Sequence, residues 1–407
     1  MEKTVSNYQR SNKLSCALGK HYSAPGYREL LMKVVHIATS LMEGGMQTVL
    51  QRLVVGDTAD EHVVISLLDE GAFGPRLRAD VIEVHALDMP RGRLTLSGLR
   101  KLWRLLRENR PDAVQTWLYH ADLIGGLFAR LITTARICWG LHFSYLNEEE
   151  LGRATRLVLK LCALTSGLIP HRVISCSEKG RLLHLDRGYD DSRLITIQNG
   201  YDFSLFRPDA ELRDTTRRAL GIVDDTLLIG QIARWDPMKD HANMMAGLAQ
   251  FKASAPMPWR CILAGDSATT ENTELMDLIA DHGLQDHVIL LGQRSDMPGI
   301  MTALDIKVLS SVSGEAFPNV LVEAMASGTP CVTTDLGDSA LIVDRFGKVV
   351  PIQDPSALAT AMTELAQEST DPESWQRRCD GGRDHVSQFS LERMVNAYRA
   401  EWMGEDA

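Results

Sequence analysis

The chain has 407 residues, 44% of them apolar, 24% charged and 6% aromatic, and a formal net charge of −10. That composition excludes a disordered or collagen-like chain, and at roughly 100–200 residues per domain the length predicts two or three domains. No run reaches the roughly 18 apolar residues of a membrane span, and the seven scattered cysteines, none in a C-x-x-C pair, exclude a disulfide framework and a zinc site.

Residues 1–30 lack hydrophobic periodicity and an apolar core, so they read as a mobile extension and not as a secretory leader. From there strand-like and helix-like segments alternate. Strands are predicted over 33–38, 62–68, 81–87, 113–118, 136–141, 172–176 and 194–197, with helical period over 46–55, 96–108, 121–131 and 151–168. A second series has strands over 227–233, 261–264, 287–291, 306–310 and 331–333. After Pro351 the pattern is helical, over 355–367, 373–385 and 391–403. Near-continuous apolar strands separated by helices predict parallel sheets covered on both faces. Two such series predict an α/β chain of two doubly wound domains, over 31–203 and 204–385, followed by a final segment over 386–407. The junction falls in NGYDFSLFRP (199–208), where Gly, Pro and polar residues interrupt the apolar pattern. Charge divides the same way: residues 31–199 carry 21 Lys/Arg against 19 Asp/Glu, and 200–407 carry 17 against 32. A basic half joined to an acidic half suggests different partners for the two.

In open parallel sheets ligands bind beyond the carboxyl ends of the strands, and three such places carry suggestive residues. In HIATSLMEGGMQTVL (36–50) a strand runs into a loop with Gly44 and Gly45 and then a helix. Glycines there allow positive φ and close backbone approach, and free N–H groups at the helix start favour an anion. No G-x-G-x-x-G or spaced acidic residue completes a dinucleotide fingerprint, and a plain strand–helix turn has the same pattern. In GQIARWDPMKD (230–240), Arg234 and Lys239 follow a buried strand and could hold a diphosphate, or else be surface cations on a turn. In SSVSGEAFPNVLVEAMASGTP (310–330), Glu315 precedes a helix with Pro318 suited to its first turn and Gly328 to its end. Glu323 lies one to two turns along. The start of such a helix attracts phosphate, and carboxylates accept from sugar hydroxyls. Either glutamate alone reads equally as a solvated side chain.

Taken in order, the Gly44–Gly45 loop, VISCSEKGRLL (173–183), ITIQNGYDFSLFRP (195–208), GQIARWDPMKD, LLGQRSDMPGIMTALDIKVLSS (290–311) and EAFPNVLVEAMASGTPCVTTDLGDSA (315–340) resemble a family-4 retaining glycosyltransferase of GT-B architecture. The resemblance covers about residues 32–385, and EAFPNVLVEAMASG is similar to the form found in enzymes of bacterial surface polysaccharides. It implies an acceptor domain first and a donor domain second. It also implies that Arg234 and Lys239 bind the diphosphate of a UDP or GDP sugar, Glu315 the sugar hydroxyls and Glu323 the ribose. Backbone N–H groups over Phe317, Pro318, Asn319 and Val320 would cap phosphate (proline itself having none), Gly292 and Arg294 would flank the base, and Gly45 would reach the phosphate across the cleft. The last helix would cross back onto the first domain. Relatives carry a His at the end of the strand near 113–118; here Trp117 holds that place, so His120 is assigned the role, with His142 as competitor. The resemblance implies retention of configuration with no metal and no cofactor, and the chain has no D-x-D. With no carboxylate nominated as nucleophile, front-face substitution is favoured, the leaving phosphate helping to deprotonate the acceptor.

The stretch RGRLTLSGLRKLWRLLRENR (91–110) holds seven cations and one acid with Leu and Trp at helical spacing. It reads as a membrane-surface helix on the anionic cytoplasmic leaflet, reaching a lipid-linked or oligosaccharide acceptor, or as a core helix with a solvated basic face. The expected location is cytoplasmic, peripheral on the inner face of the membrane. Nucleic acid is disfavoured by the net acidity. Competing readings are an inactive fold relative, a GT-B epimerase or phosphorylase, and a nicotinamide oxidoreductase.

Overall fold

The structure is a computed structural model that describes residues 31–142, 152–223 and 225–405; the extension expected over 1–30 lies outside them. The first lobe runs β1 (Lys33–Ala38), α1 (Gly45–Gly56), β2 (Glu61–Ser66), α2 (Phe73–Ala79), β3 (Glu83–Ala86), α3 (Leu96–Asn109), β4 (Ala113–Trp117), α4 (Tyr119–Ile132), β5 (Arg136–Leu141), α5 (Arg153–Thr165), β6 (Arg172–Ser175), α6 (Glu178–Asp186) and β7 (Leu194–Thr196). Its strands form one sheet in the order β3-β2-β1-β4-β5-β6-β7, every pair parallel. Strands such as β1 are buried along nearly their whole length, because helices cover both faces. One helical layer packs on Val35, Ile37, Val114 and Ile137 and the other on Val34, Ala38 and Ala113, the alternation that a pleated strand demands.

The second lobe runs α7 (Ala210–Ala219), β8 (Leu227–Ile232), α8 (His241–Ser254), β9 (Trp259–Ala264), α9 (Thr273–Asp281), β10 (Val288–Gly292), α10 (Met297–Ala303), β11 (Ile306–Leu309), α11 (Asn319–Ala326), β12 (Cys331–Thr334), α12 (Ser339–Val343), β13 (Lys348–Val350), α13 (Pro355–Glu368), α14 (Pro372–Val386) and α15 (Leu391–Met403). Its six-stranded parallel sheet has the order β10-β9-β8-β11-β12-β13. The strand β13 has no counterpart in the predicted series: it is three residues long and follows Gly347, too short for a period to register.

Each sheet reverses its strand order once, between β1 and β4 and between β8 and β11. These are the crevices where open α/β sheets hold ligands, and the Gly44–Gly45, Arg234–Lys239 and Glu315 segments all follow strands that flank them. The last helix returns to the first lobe. On α15, Met394, Val395, Tyr398 and Trp402 join the core beneath α1. There Trp402 Nε1 donates to Gln115 Oε1 at 3.2 Å and Arg399 Nε to Asp60 Oδ2 at 2.9 Å. The cysteines among the described residues are free, five of them buried and Cys379 partly so.

Candidate active site

Lys239 is set in place by local chemistry. Asp236 caps a 3-10 turn over Pro237–Lys239 by accepting from Met238 N, and Asp240 closes it with φ 46°. Gln231 Nε2 donates to the Lys239 carbonyl at 3.1 Å and to Ser310 Oγ at 3.0 Å, fastening this turn to the end of β11. Val312 N donates to Met238 O at 2.9 Å, so the loops after β8 and β11 are held side by side. Gly314 sits at φ +79°, where a Cβ would come within 2.8 Å of Met238 Sδ; its lack of a side chain is what lets the loops close up.

The consequence is an ion pair: Lys239 Nζ lies 2.5 Å from Glu315 Oε1, with side-chain exposures of 17% and 10%. Ser311 Oγ donates to the same oxygen at 2.7 Å. Arg234 stands at the rim, half exposed, its Nε 2.9 Å from Asp236 Oδ2.

Around this pair is a cavity of about 420 Å³. It is lined by Gly44, Gly45, Arg234, Lys239, Glu315, Phe317, Pro318, Asn319 and Val320, together with Leu118, His142 and Asn199. Two helices open into it. Neither α1, with Gly44 at its N-cap, nor α11, with Pro318 at its N-cap, has a side-chain cap, so their first N–H groups face the cavity with the positive ends of both dipoles. The arrangement can take an anion with several oxygens, flanked by a cation and a carboxylate.

Four expected residues lie elsewhere. His120 does not line the cavity; it is in the first turn of α4, beyond Leu118, whose φ of +72° turns the chain away. His142 lines it instead, stacked on Trp117 with ring centroids 5.3 Å apart. Burial pulls its imidazole down to about 4, so it is neutral at neutral pH. Glu323 is buried against Arg52 of the first lobe at 2.7 Å. Gly292 ends β10 and Arg294 lies just past it, paired with Asp296 at 2.6 Å. Two local expectations also change. Gly44 is extended at φ 176°, and neither it nor Gly45 is among the positive-φ glycines; nor does close approach require the second glycine, since a Cβ there would stand an ordinary 3.9 Å from Asn319 Nδ2. Pro318 is the N-cap of α11 and not part of its first turn.

Sequence reasoning missed Gln231, Ser310, Ser311, Asn199, Tyr201 and Arg52. The serines and Asn199–Tyr201 lie inside the quoted motifs, and Arg52 stands two helical turns past Gly45, so spacing was the available signal. A larger cavity of about 570 Å³ beside α15, lined by Asp57, Tyr201, Glu392 and Arg399, holds none of the expected site residues.

Residues 43–205 match the family model described as Glycosyltransferase Family 4, and residues 225–368 the one described as Glycosyl transferases group 1. The chain carries a glycosyltransferase family 4 domain followed by a glycosyl transferases group 1 domain. This glycosyltransferase is 30% identical over 256 residues to EpsF of Bacillus subtilis, described as a glycosyltransferase, over 59% of the present chain and 62% of EpsF, less than two thirds of that relative's length. It is 22% identical over 276 residues to the UDP-Gal:alpha-D-GlcNAc-diphosphoundecaprenol alpha-1,3-galactosyltransferase of Escherichia coli, over 67% and 71% of the two chains. HepE of Anabaena, solved with UDP and glucose, superposes with a TM-score of 0.79 at 23% identity, over 92% of this glycosyltransferase and all of HepE. The architecture is therefore GT-B: two Rossmann-like lobes facing across a cleft. No helix among its described residues is long and apolar enough to cross a membrane.

Proposed function

We propose that the enzyme moves a sugar, with retention and without a metal, from a nucleoside-diphosphate sugar to a saccharide acceptor carried on a lipid diphosphate, in the assembly of a cell-surface polysaccharide. The observation that carries this is the Lys239–Glu315 pair at the mouth of two uncapped helices in one cleft cavity. Chemistry at an anomeric carbon builds negative charge on the departing diphosphate. A lysine ammonium, the Arg234 guanidinium and two sets of helix N–H groups stand where that charge would develop, fixed before the reaction begins. Glu315, beside Lys239, accepts from donor-sugar hydroxyls and sets the sugar's orientation. His142 in its neutral form takes the place first assigned to His120, as a hydrogen-bonding wall. The acceptor oxygen attacks from the face the diphosphate leaves, and the leaving phosphate takes its proton. Uridine is the favoured base, since HepE was solved with UDP and with UDP-glucose; a lipid diphosphate is the favoured carrier, since the Escherichia coli relative is named for one.

Thermal shift against a panel of UDP and GDP sugars, followed by donor hydrolysis on the hits, tests the reading. Stabilisation by one nucleoside-diphosphate sugar and slow release of its diphosphate are expected. A chain indifferent to every member of the panel, or a complex with the donor outside the cleft, ends it.

A further inference from the structure

Beneath α1 and α15 a line of buried polar groups runs away from the cavity. Trp117 ends β4, and its indole Nε1 donates to Nδ1 of His36 on β1 at 3.3 Å. His36 Nε2 stands 2.9 Å from Nδ1 of His62 on β2. His62 Nε2 stands in turn 3.3 Å from Oδ2 of Asp57, just past α1. All four side chains are buried, and Trp402 of α15 lies edge-on to both imidazoles.

The proton positions along this line follow from one property of the indole N–H: it can only donate. His36 Nδ1 is therefore the lone pair, and the single proton of that ring is on Nε2. His62 Nδ1 must then accept, which leaves the His62 proton on Nε2, facing the Asp57 carboxylate. A neutral imidazole has one donor and one acceptor, so the series is complete and runs one way. Burial, and His62 beside it, hold the His36 imidazole well below its ordinary value. Against the cost of its own burial, His62 and the Ala59 N–H keep the Asp57 carboxyl below the usual range. At the other end the Trp117 ring stacks on His142, with centroids 5.3 Å apart. His142 lines the cavity, and its buried Nε2 has no hydrogen-bond partner among the described residues, which leaves it for a polar atom of whatever occupies the cavity.

We propose that His36 is a positioning residue: with its tautomer fixed by His62 and Asp57, it draws the Trp117 N–H into the core, so that the indole presents its face to His142 and holds that imidazole at one angle in the cavity wall. None of His36, His62 and Asp57 lines the cavity, so each acts through the indole. The inference deepens the reading of the cavity as the nucleotide-sugar site and rests on it.

The full-length protein and its variants H36N, H36Q, H36L and W117F are compared in ¹⁵N spectra of histidine- and tryptophan-labelled samples and in initial rates with UDP-glucose. In the unaltered protein His36 and His62 should both be neutral with the proton on Nε2. The indole N–H signal that W117F removes should lie downfield, and should move upfield in H36L and H36Q. Asn sets its side-chain oxygen near the place of Nδ1, so H36N keeps an acceptor for Trp117; Gln sets its amide near the place of Nε2, so H36Q keeps none. In H36Q, H36L and W117F kcat should therefore fall about tenfold, the cost of a misplaced group near the chemistry, and in H36N it should stay within about threefold. The donor KM should stay within about threefold throughout. If His36 only filled space, Gln would replace it better than Asn, and that order in kcat overturns the proposal. So does a proton on Nδ1 of either histidine, or parental kcat in every variant that remains folded by circular dichroism. Failure of the unaltered protein to turn over UDP-glucose would count instead against the donor-site reading, and the tautomers and the indole signal would still decide the series of bonds.

Discussion

A lysine and a glutamate 76 residues apart share one short contact in the cleft. A lone carboxylate or ammonium in that position would be an incompletely solvated charge, so each residue offsets part of the other's burial cost. Lys239→Met and Glu315→Gln are expected to lower kcat by roughly 100- to 1000-fold, the range seen for loss of a preorganised charge-stabilising group, while the far-ultraviolet circular dichroism stays that of the folded protein. Near-normal turnover in both variants would remove them from the chemistry. A second residue-scale expectation concerns stability. Asp122 is buried on α4, accepting from Thr116 Oγ1 and Gly140 N, and burial raises its carboxyl from 3.8 to about 7. Between those values the folded chain holds a proton that the unfolded chain has lost, so this group's contribution falls as pH rises from about 4 to about 7 and stays low above. Asp122→Asn removes that dependence. Its melting temperature relative to the unaltered protein should therefore be more favourable at pH 8 than at pH 5, and an equal shift at both would contradict the buried-carboxyl reading. At this scale the convergence of Arg234, Lys239 and Glu315 on one cavity was legible, because each follows a strand end. The choice between His120 and His142, both named from the sequence, was not, because it hangs on one positive φ at Leu118, which no side-chain pattern announces.

Helix α3 has two readings that its amphipathic pattern leaves open. Thr95 caps it through Gly98 N, Arg110 ends it in the left-handed region, and Leu102, Leu105 and Leu106 fill the core beneath. A core helix with a solvated basic face accounts for that much. It does not account for Trp103, 48% exposed on the outer side beside exposed Leu94 and Leu96, among Arg91, Arg93, Arg100, Arg104, Arg107 and Arg110. Large apolar groups standing out among cations, with one acid on the helix, suit an anionic lipid surface. Replacing Arg100, Arg104 and Arg107 with Ala should cost about 3 kcal/mol of attraction to such a surface, or roughly 100-fold in partitioning. Flotation with vesicles containing anionic lipid reads this directly. Equal partitioning of parent and variant, or equal binding to neutral vesicles, would return α3 to the role of a core helix.

At the scale of the whole molecule, two lobes are joined by more than the linker. Besides Arg52–Glu323, Asp338 of the second lobe accepts from the backbone N–H groups of Glu178 and Lys179 at the start of α6, and Lys179 pairs with Asp335 at 2.6 Å. Helix α15 carries Trp402 and Tyr398 back into the first lobe's core. Packing on this scale also sets the response to acid. His142, His184 and His241 are each lowered by burial to about 4 from 6.5, and His36 well below its ordinary value by burial and by neighbouring His62. The unfolded chain takes up these protons below about pH 6.5 while the folded chain refuses them until about 4, so stability should fall as pH falls through that window. Asp122 opposes this with one group against four. Melting temperatures should therefore drop between pH 7 and pH 5, and a flat profile would mean that these histidines are solvated in the native state.

The class of fold could be settled from the amino-acid order alone, because apolar runs of strand length alternating with helical period admit few arrangements other than covered parallel sheets. So could the segments that line the cleft cavity, since each pairs a strand end with a glycine, a cation or a helix start. What tertiary structure decided were the relations between segments far apart in the chain: that Lys239 meets Glu315, that Glu323 meets Arg52 in place of open solvent, that His142 enters the cavity where His120 does not. Periodicity reports which face of an element is buried. It carries no information about which element lies opposite, and these pairings exist only once two sheets and the helix that ties them have closed around one cleft.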